Sequence, residues 1–150
     1  MRKLILFFSS GFAAGYIKRA PGTFGSLAGV ALWVLFIPRD FYFQAAAVIF
    51  MFFASVLFSS LAEKIYGRKD DQRIVIDEIA GVWLSVAFVP KTFLFLSLGF
   101  ILFRIFDISK PLFIGKLQNI KGGLGITADD MAAGLAANII LQALKILLGQ

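Results

Sequence analysis

The sequence predicts an all-α fold: a small polytopic membrane bundle of about five helices, preceded by an N-terminal interfacial or re-entrant segment. Three observations carry this reading. The chain has 150 residues, so residues 1–150 are read as a single membrane-embedded domain. Its hydrophobic fraction is 59% and its mean hydropathy +0.86, above the roughly 45–50% apolar content of soluble domains. Uncharged runs long enough to cross a bilayer alternate with clusters of charge. Together these exclude a disordered chain, a coiled coil and an ordinary water-soluble domain.

Leu4 to Ile17 holds 14 uncharged residues behind Met1-Arg2-Lys3, the layout of a signal peptide. Ser9, Ser10 and Gly11 interrupt its apolar core, which favours an interfacial or re-entrant helix. Ala20 to Pro38 is 19 residues without charge; Pro21-Gly22-Thr23 reads as a turn and helix N-cap, with the apolar part over Phe24 to Ile37. Phe41 to Ala62 is 22 uncharged residues, enough for ~33 Å of helix. Three further runs are bounded by charge. Ile79 to Pro90 continues from Ile74 across Asp77 and Glu78, Thr92 to Phe103 leads into Arg104 and Asp107, and Met131 to Leu144 follows Asp129 and Asp130. Each can span only if its charged end belongs to the helix and faces protein or water. Pro38-Arg39-Asp40 and Pro90-Lys91-Thr92 read as tight turns on one face, and Pro111 as the stop after Lys110. Gly11-x-x-x-Gly15 and Gly25-x-x-x-Gly29 fit close helix approach.

Charge sets the expected orientation. Arg39, Lys91 and Lys145 fall on one side; Lys18, Arg19, Lys64, Arg68, Lys69, Arg73, Arg104, Lys110, Lys116 and Lys121 fall on the other. The positive-inside rule puts the crowded side of this multi-pass chain in the cytoplasm. The net charge of +6 in so apolar a chain points to an anionic membrane surface and away from nucleic acid. The chain has no Cys and no His. That excludes thiolate and imidazole chemistry and leaves carboxylates, Lys, Arg, hydroxyls, backbone or a hard metal.

Eight of the nine acids share the cytoplasmic side; only Asp40 lies opposite. Asp70 and Asp71 read as solvated charge. Asp77, Glu78, Asp107, Asp129 and Asp130 sit at the ends of apolar helices, where a carboxylate is costly unless paired or bound to a cation. Without His or Cys, such a cluster suits Mg²⁺ or Mn²⁺ and so metal-assisted phosphate chemistry. Arg104 and Lys110 fit the same picture as a phosphate fork and a point charge; a plain Arg104–Asp107 helix-end pair is the alternative. The loop at Gly122, Gly123 and Gly125 enters a helix and offers free N–H groups to an anion. Thr127-x-x-Asp130 reads as a capping box. A transporter or channel component is the rival to an enzyme, and it predicts acids near mid-span instead.

Four blocks in order resemble the phosphatidylglycerophosphatase A family: Ala20-Pro21-Gly22-Thr23-x-Gly25-Ser26-Leu27, Ile74-Val75-x-Asp77-Glu78-x-x-Gly81, Phe103-Arg104-x-x-Asp107-x-x-Lys110-Pro111, and Gly122-Gly123-x-Gly125-Ile126-x-x-Asp129-Asp130-x-x-Ala133-Gly134. The chain departs at Leu112-Phe113, where the family places an aromatic residue and a second Pro. The resemblance implies a Mg²⁺-dependent phosphatase that converts phosphatidylglycerophosphate in the cytoplasmic leaflet into phosphatidylglycerol and phosphate. It implies Asp77, Glu78, Asp107, Asp129 and Asp130 as catalytic and metal ligands. Phosphate contacts are then expected from Arg104, Lys110, Thr23, Ser26, Gly122, Gly123 and Gly125. Direct attack by water is preferred to an aspartyl-phosphate, with Asp129 or Asp130 as base. The oligomeric state is open.

Overall fold

The computed structural model describes residues 1–111, 114–117 and 120–150. Among them every regular element is helical: α1 (Arg2–Ser9), a 3₁₀ turn (Ala14–Tyr16), α2 (Pro21–Phe36), α3 (Phe41–Tyr66), α4 (Ile76–Val86), α5 (Phe93–Ser109), α6 (Ile114–Leu117) and α7 (Gly123–Leu147). The all-α expectation holds, with α2, α3, α4, α5 and α7 as the bundle and the short α6 as an addition. Leu112 and Phe113, where the chain departs from the family pattern, lie outside the described residues.

The helix boundaries follow local chemistry. Asp40 caps α3, its Oδ1 accepting from the Phe43 N–H at 2.9 Å, and Thr92 caps α5 in the same way. α5 stops at Lys110, which adopts a left-handed φ of +41° immediately before Pro111. Two starts fall earlier than expected. α2 begins at Pro21, whose fixed φ and missing N–H suit the first helical position, so Thr23 lies inside the first turn. α7 begins at Gly123, and Thr127 is not its cap but a buried residue sharing a 2.7 Å hydrogen bond with Ser55 of α3.

The bundle helices alternate in direction. The starts of α2, α4 and α7, the end of α5 and the segment after α3 surround one cavity. The reverse ends, with Arg39, Phe41, Phe88, Lys91 and Lys145, surround another. α4 is the centre, contacted by α2, α3, α5 and α7. Trp33, Ile79, Val82, Val86, Phe103 and Ala137 form the core around it. Gly25 and Gly29 bring α2 onto Val75, Ile79 and Val82, as their spacing suggested. The closest approach is between α4 and α7, where a Cβ on Gly134 would overlap the Gly81 carbonyl.

α4 stops at Val86 although its apolar run continues to Pro90. The freed carbonyls are taken by α7: Asn138 Nδ2 donates to Ser85 O at 3.1 Å and Ala87 O at 2.8 Å, and Lys145 Nζ donates to Phe88 O at 3.0 Å. Lys91 does the same for α2, donating to Trp33 O at 2.8 Å and also to Ile37 O.

The N-terminal segment dips and returns. Phe8 meets Phe58 of α3 with ring centroids 5.3 Å apart. The chain then reverses over Gly11, Phe12 and Ala13, all at positive φ, and comes back to the end of α3, where the Tyr16 and Tyr66 hydroxyls lie 3.0 Å apart. The segment thus folds back on the end of α3.

α3 and α7 have the length and hydropathy to cross a membrane, and only 22% and 33% of their apolar windows are buried. A soluble core helix buries that surface; here Phe50, Phe53, Leu57 and Ile139 face outward. α2, α4 and α5 are shorter.

Asp71 is not solvated as the sequence suggested. It is buried, and Arg73 grips it through Nε at 2.7 Å and a second nitrogen at 2.8 Å while stacking on Tyr66. Hydrogen bonds from Arg73 hold the Asp71 carboxyl below its ordinary value of 3.8, against the upward push of burial. A depressed value stabilises the loop above 3.8, and this contribution disappears as pH falls through the lower folded value. Amide protection at Arg73 and Ile74, followed by hydrogen exchange, is expected to drop in acid; Asp71→Asn should lower protection at neutral pH and flatten that dependence. Gly134→Val is expected to destabilise the bundle by about 1–3 kcal/mol, as overpacking does, read as a lowered melting temperature in detergent.

Candidate active site

The cavity at the first end of the bundle has a volume of about 370 Å³. Carboxylates come to it from three helices. Asp77 and Glu78 stand in the first turn of α4, where the helix N-terminus favours negative charge. Asp107 comes from the last turn of α5, and Asp129 and Asp130 come from the second turn of α7. Arg104 and Lys110 complete the α5 contribution, and Pro21 and Gly22 of α2 close one wall.

The five acids divide into two sets. Asp107 is paired with Arg104, whose Nη1 lies 2.5 Å from Oδ2, and Asp129 is paired with Lys110 at 2.5 Å. The helix-end pair weighed in the sequence is thus present, and it lies within the site. Asp77, Glu78 and Asp130 have no ion-pair partner among the described residues. One oxygen from each lies within 4.8 Å of the others. Asp77 Oδ1, Glu78 Oε2 and Asp130 Oδ2 are buried without a hydrogen-bond partner, as is Arg104 Nε.

Three carboxylates this close cannot all be ionised without a compensating positive charge. Arg104 and Lys110 are already engaged with Asp107 and Asp129, so relief must come from protons held within the cluster or from a further cation. The donor set is all oxygen, which suits a hard divalent ion such as Mg²⁺. The orphaned oxygens fit that ion.

Lys110 reports the field of the site. Burial lowers its ammonium, but the Asp129 hydrogen bond and the negative charges of Asp129, Asp130 and Asp107 outweigh this, so it titrates above ordinary lysine. Lys110 therefore stays charged at neutral pH.

Gly22 is required by close approach. A Cβ there would overlap the Glu78 carboxylate and lie 3.1 Å from Arg104 Nη1. Its absence lets both side chains lie against α2.

Other residues expected to touch phosphate lie outside this lining. Thr23 faces a neighbouring groove. Ser26 is buried and donates to Gly22 O at 2.8 Å within α2. Gly123 packs on α3 instead, its N–H donating to Ser60 Oγ at 3.0 Å, and Gly125 lies against Ile120. Conversely, Lys18, Asp70 and Gln72 line the cavity, although the sequence reading used Lys18 only for orientation, took Asp70 as solvated charge and did not single out Gln72. Their available signal was position: Lys18 stands two residues before the Ala20-Pro21-Gly22 block, and Asp70 and Gln72 flank Asp71 in the loop leading to Asp77.

Residues 7–145 match the family model described as phosphatidylglycerophosphatase A. A relative from Escherichia coli named phosphatidylglycerophosphatase A is 35% identical over 87% of this chain and 77% of its own length. One of the same name from Haemophilus influenzae is 36% identical over 90% and 85%. A Bacteroides thetaiotaomicron relative, provisionally named a phosphatidylinositol-3-phosphatase, is 35% identical over 93% and 92%. No solved structure matches the chain.

Gly22→Ala is expected to keep the fold, because the displaced atoms are ends of flexible side chains. It should weaken Mn²⁺ binding about tenfold or more, a loss typical of disturbed ligand support. Electron paramagnetic resonance titration measures this; unchanged affinity would separate Glu78 from the ion site.

Proposed function

The chain belongs to the phosphatidylglycerophosphatase A family, and from that premise we propose that it hydrolyses the terminal phosphate of phosphatidylglycerophosphate with Mg²⁺ as cofactor. The observation that carries this reading is the convergence of three open carboxylate oxygens beside two cations at one end of an apolar bundle. The relatives' names share one substrate chemistry, a phosphomonoester on the headgroup of a glycerophospholipid. A headgroup site at the rim suits it, since the acyl tails stay in the bilayer.

Asp77, Glu78 and Asp130 are the residues that would hold Mg²⁺. When bound, the ion supplies positive charge to the phosphoryl oxygens and acidifies water. The remaining work falls to the protein. Arg104 has a buried Nε–H without a partner, a donor available to a phosphoryl oxygen. Lys110 and Lys18 add point charges. Asp129, held by Lys110 at 2.5 Å, orients the attacking water and takes its proton. The water oxygen bonds to phosphorus, the P–O bond to glycerol breaks, and the glycerol oxygen leaves with a proton from solvent. Asp107 keeps Arg104 in position.

The orientation belongs to the same proposal. The cavity opens at the end to which the sequence assigns ten cations, Lys18, Arg104 and Lys110 among them, against Arg39, Lys91 and Lys145 at the other. That bias favours a cytoplasmic site in a multi-pass inner-membrane protein.

Phosphate release from phosphatidylglycerophosphate in mixed micelles tests this reading. Mg²⁺ should support turnover and EDTA should abolish it. Asp77→Asn, Glu78→Gln and Asp130→Asn should each lose activity, and Asp129→Asn should lower kcat about 10²- to 10⁴-fold, the usual scale for a general base. Phosphatidylinositol 3-phosphate is the competing substrate, and faster release from it would reassign the headgroup. Near-normal rates in the three ligand variants would contradict the proposal.

A further inference from the structure

The polar cavity has an apolar neighbour on the outer side of the α2–α5 seam. This groove, of about 390 Å³, is lined by Thr23, Phe100, Ile101, Arg104, Ile105 and Ile108, with Ser109 at its rim. It runs along α5 from Phe100 to Ser109, ~14 Å at the helical rise, close to the depth of one leaflet of a ~30 Å hydrocarbon core. Ile101, Ile105 and Ile108 are each about half exposed or more, so the groove opens outward.

Arg104 belongs to both spaces. Its guanidinium is held in the cavity by Asp107, while its aliphatic stem can border the groove, the division of labour usual for long cationic side chains. Gly22 places no side chain where Arg104 meets α2: a Cβ there would lie 3.1 Å from Arg104 Nη1. Two larger apolar pockets, one lined by Phe8, Phe50, Phe58 and Trp83 among others and one by Ile17, Ala28 and Leu35 among others, share no residue with the polar cavity.

We propose that the α2–α5 groove is an acyl-chain site for the glycerophospholipid substrate, with Arg104 as the junction between headgroup and tail. The inference rests on the lipid-phosphatase reading above. It goes beyond that reading in stating that the substrate enters sideways from the bilayer through this seam and that the enzyme reads the tail as well as the headgroup.

The test pairs a labelling readout with a kinetic one. Phosphatidylglycerophosphate carrying a diazirine near the end of one acyl chain is photolysed with the full chain in phosphatidylcholine vesicles, and the labelled peptides are identified by mass spectrometry. Labelling of residues 100–109 should exceed that from the same diazirine on phosphatidylcholine. Ile105→Trp, which fills the groove, should remove the excess. It should also lower kcat/KM for the dioleoyl substrate at least about tenfold, the loss expected for roughly two methylenes of burial, while hydrolysis of the deacylated headgroup is unchanged.

Equal labelling from both lipids overturns the proposal, as does an Ile105→Trp chain that treats both substrates as the parent does or slows both equally. If Ile105→Cys chains form disulfide dimers and the groove takes no label, a second copy occupies it, and the proposal fails. Labelling confined to residues 50–58 with phosphate released normally removes the groove and leaves the phosphatase reading standing. Headgroup-dependent labelling at 100–109 without any phosphate release does the opposite.

Discussion

Negative charge confined without its own counter-charge is the constraint on which this protein turns. Asp77, Glu78 and Asp130 bring three carboxylates within 4.8 Å inside a largely apolar chain, and the nearby cations are committed to Asp107 and Asp129. Such a cluster is unfavourable in isolation and becomes favourable around a divalent ion. The packing around it gives it a fixed shape. α4 carries two of the acids, and the close contact of Gly81 with Gly134 holds that helix against α7, which carries the third.

The rest of the bundle separates this polar rim from the apolar body. α4 is kept short by Asn138 and Lys145 of α7, which take its last carbonyls. Its N-terminus is thereby set at the rim, and the Asp71–Arg73–Tyr66 clamp orders the loop that leads into it. The acids lie together at one end of the helices and not along a path through them, an arrangement that suits chemistry on a headgroup better than ion conduction.

Much of this was legible in the sequence because it depends on local chemistry. Asp40 and Thr92 cap their helices where Pro-containing turns announced them, and Pro111 stops α5 at Lys110. The acids at helix ends were legible through their cost: an apolar run does not end in adjacent carboxylates without a use for them. What was hidden depends on contacts between distant residues. Nothing local says that Gly123 will spend its N–H on Ser60, that Thr127 will face Ser55, or that Asp71 will be gripped while Asp70 lines the cavity. The division of the five acids into two ion-paired and three open carboxylates is likewise a property of three-dimensional placement. Lys18 was hidden because a basic pair near a membrane helix already has an explanation in topology.

The three open carboxylates should form one divalent-ion site. A crystal structure of the full chain grown with Mn²⁺, with data collected at the manganese absorption edge, tests it most directly. An anomalous peak bound by oxygens of Asp77, Glu78 and Asp130 is expected at about 2.0–2.3 Å, near the distances hard divalent ions adopt with oxygen. Peaks confined to exposed acids such as Asp40, or an ordered cavity in which Lys18 or Arg104 neutralises those three carboxylates in place of a metal, would contradict it.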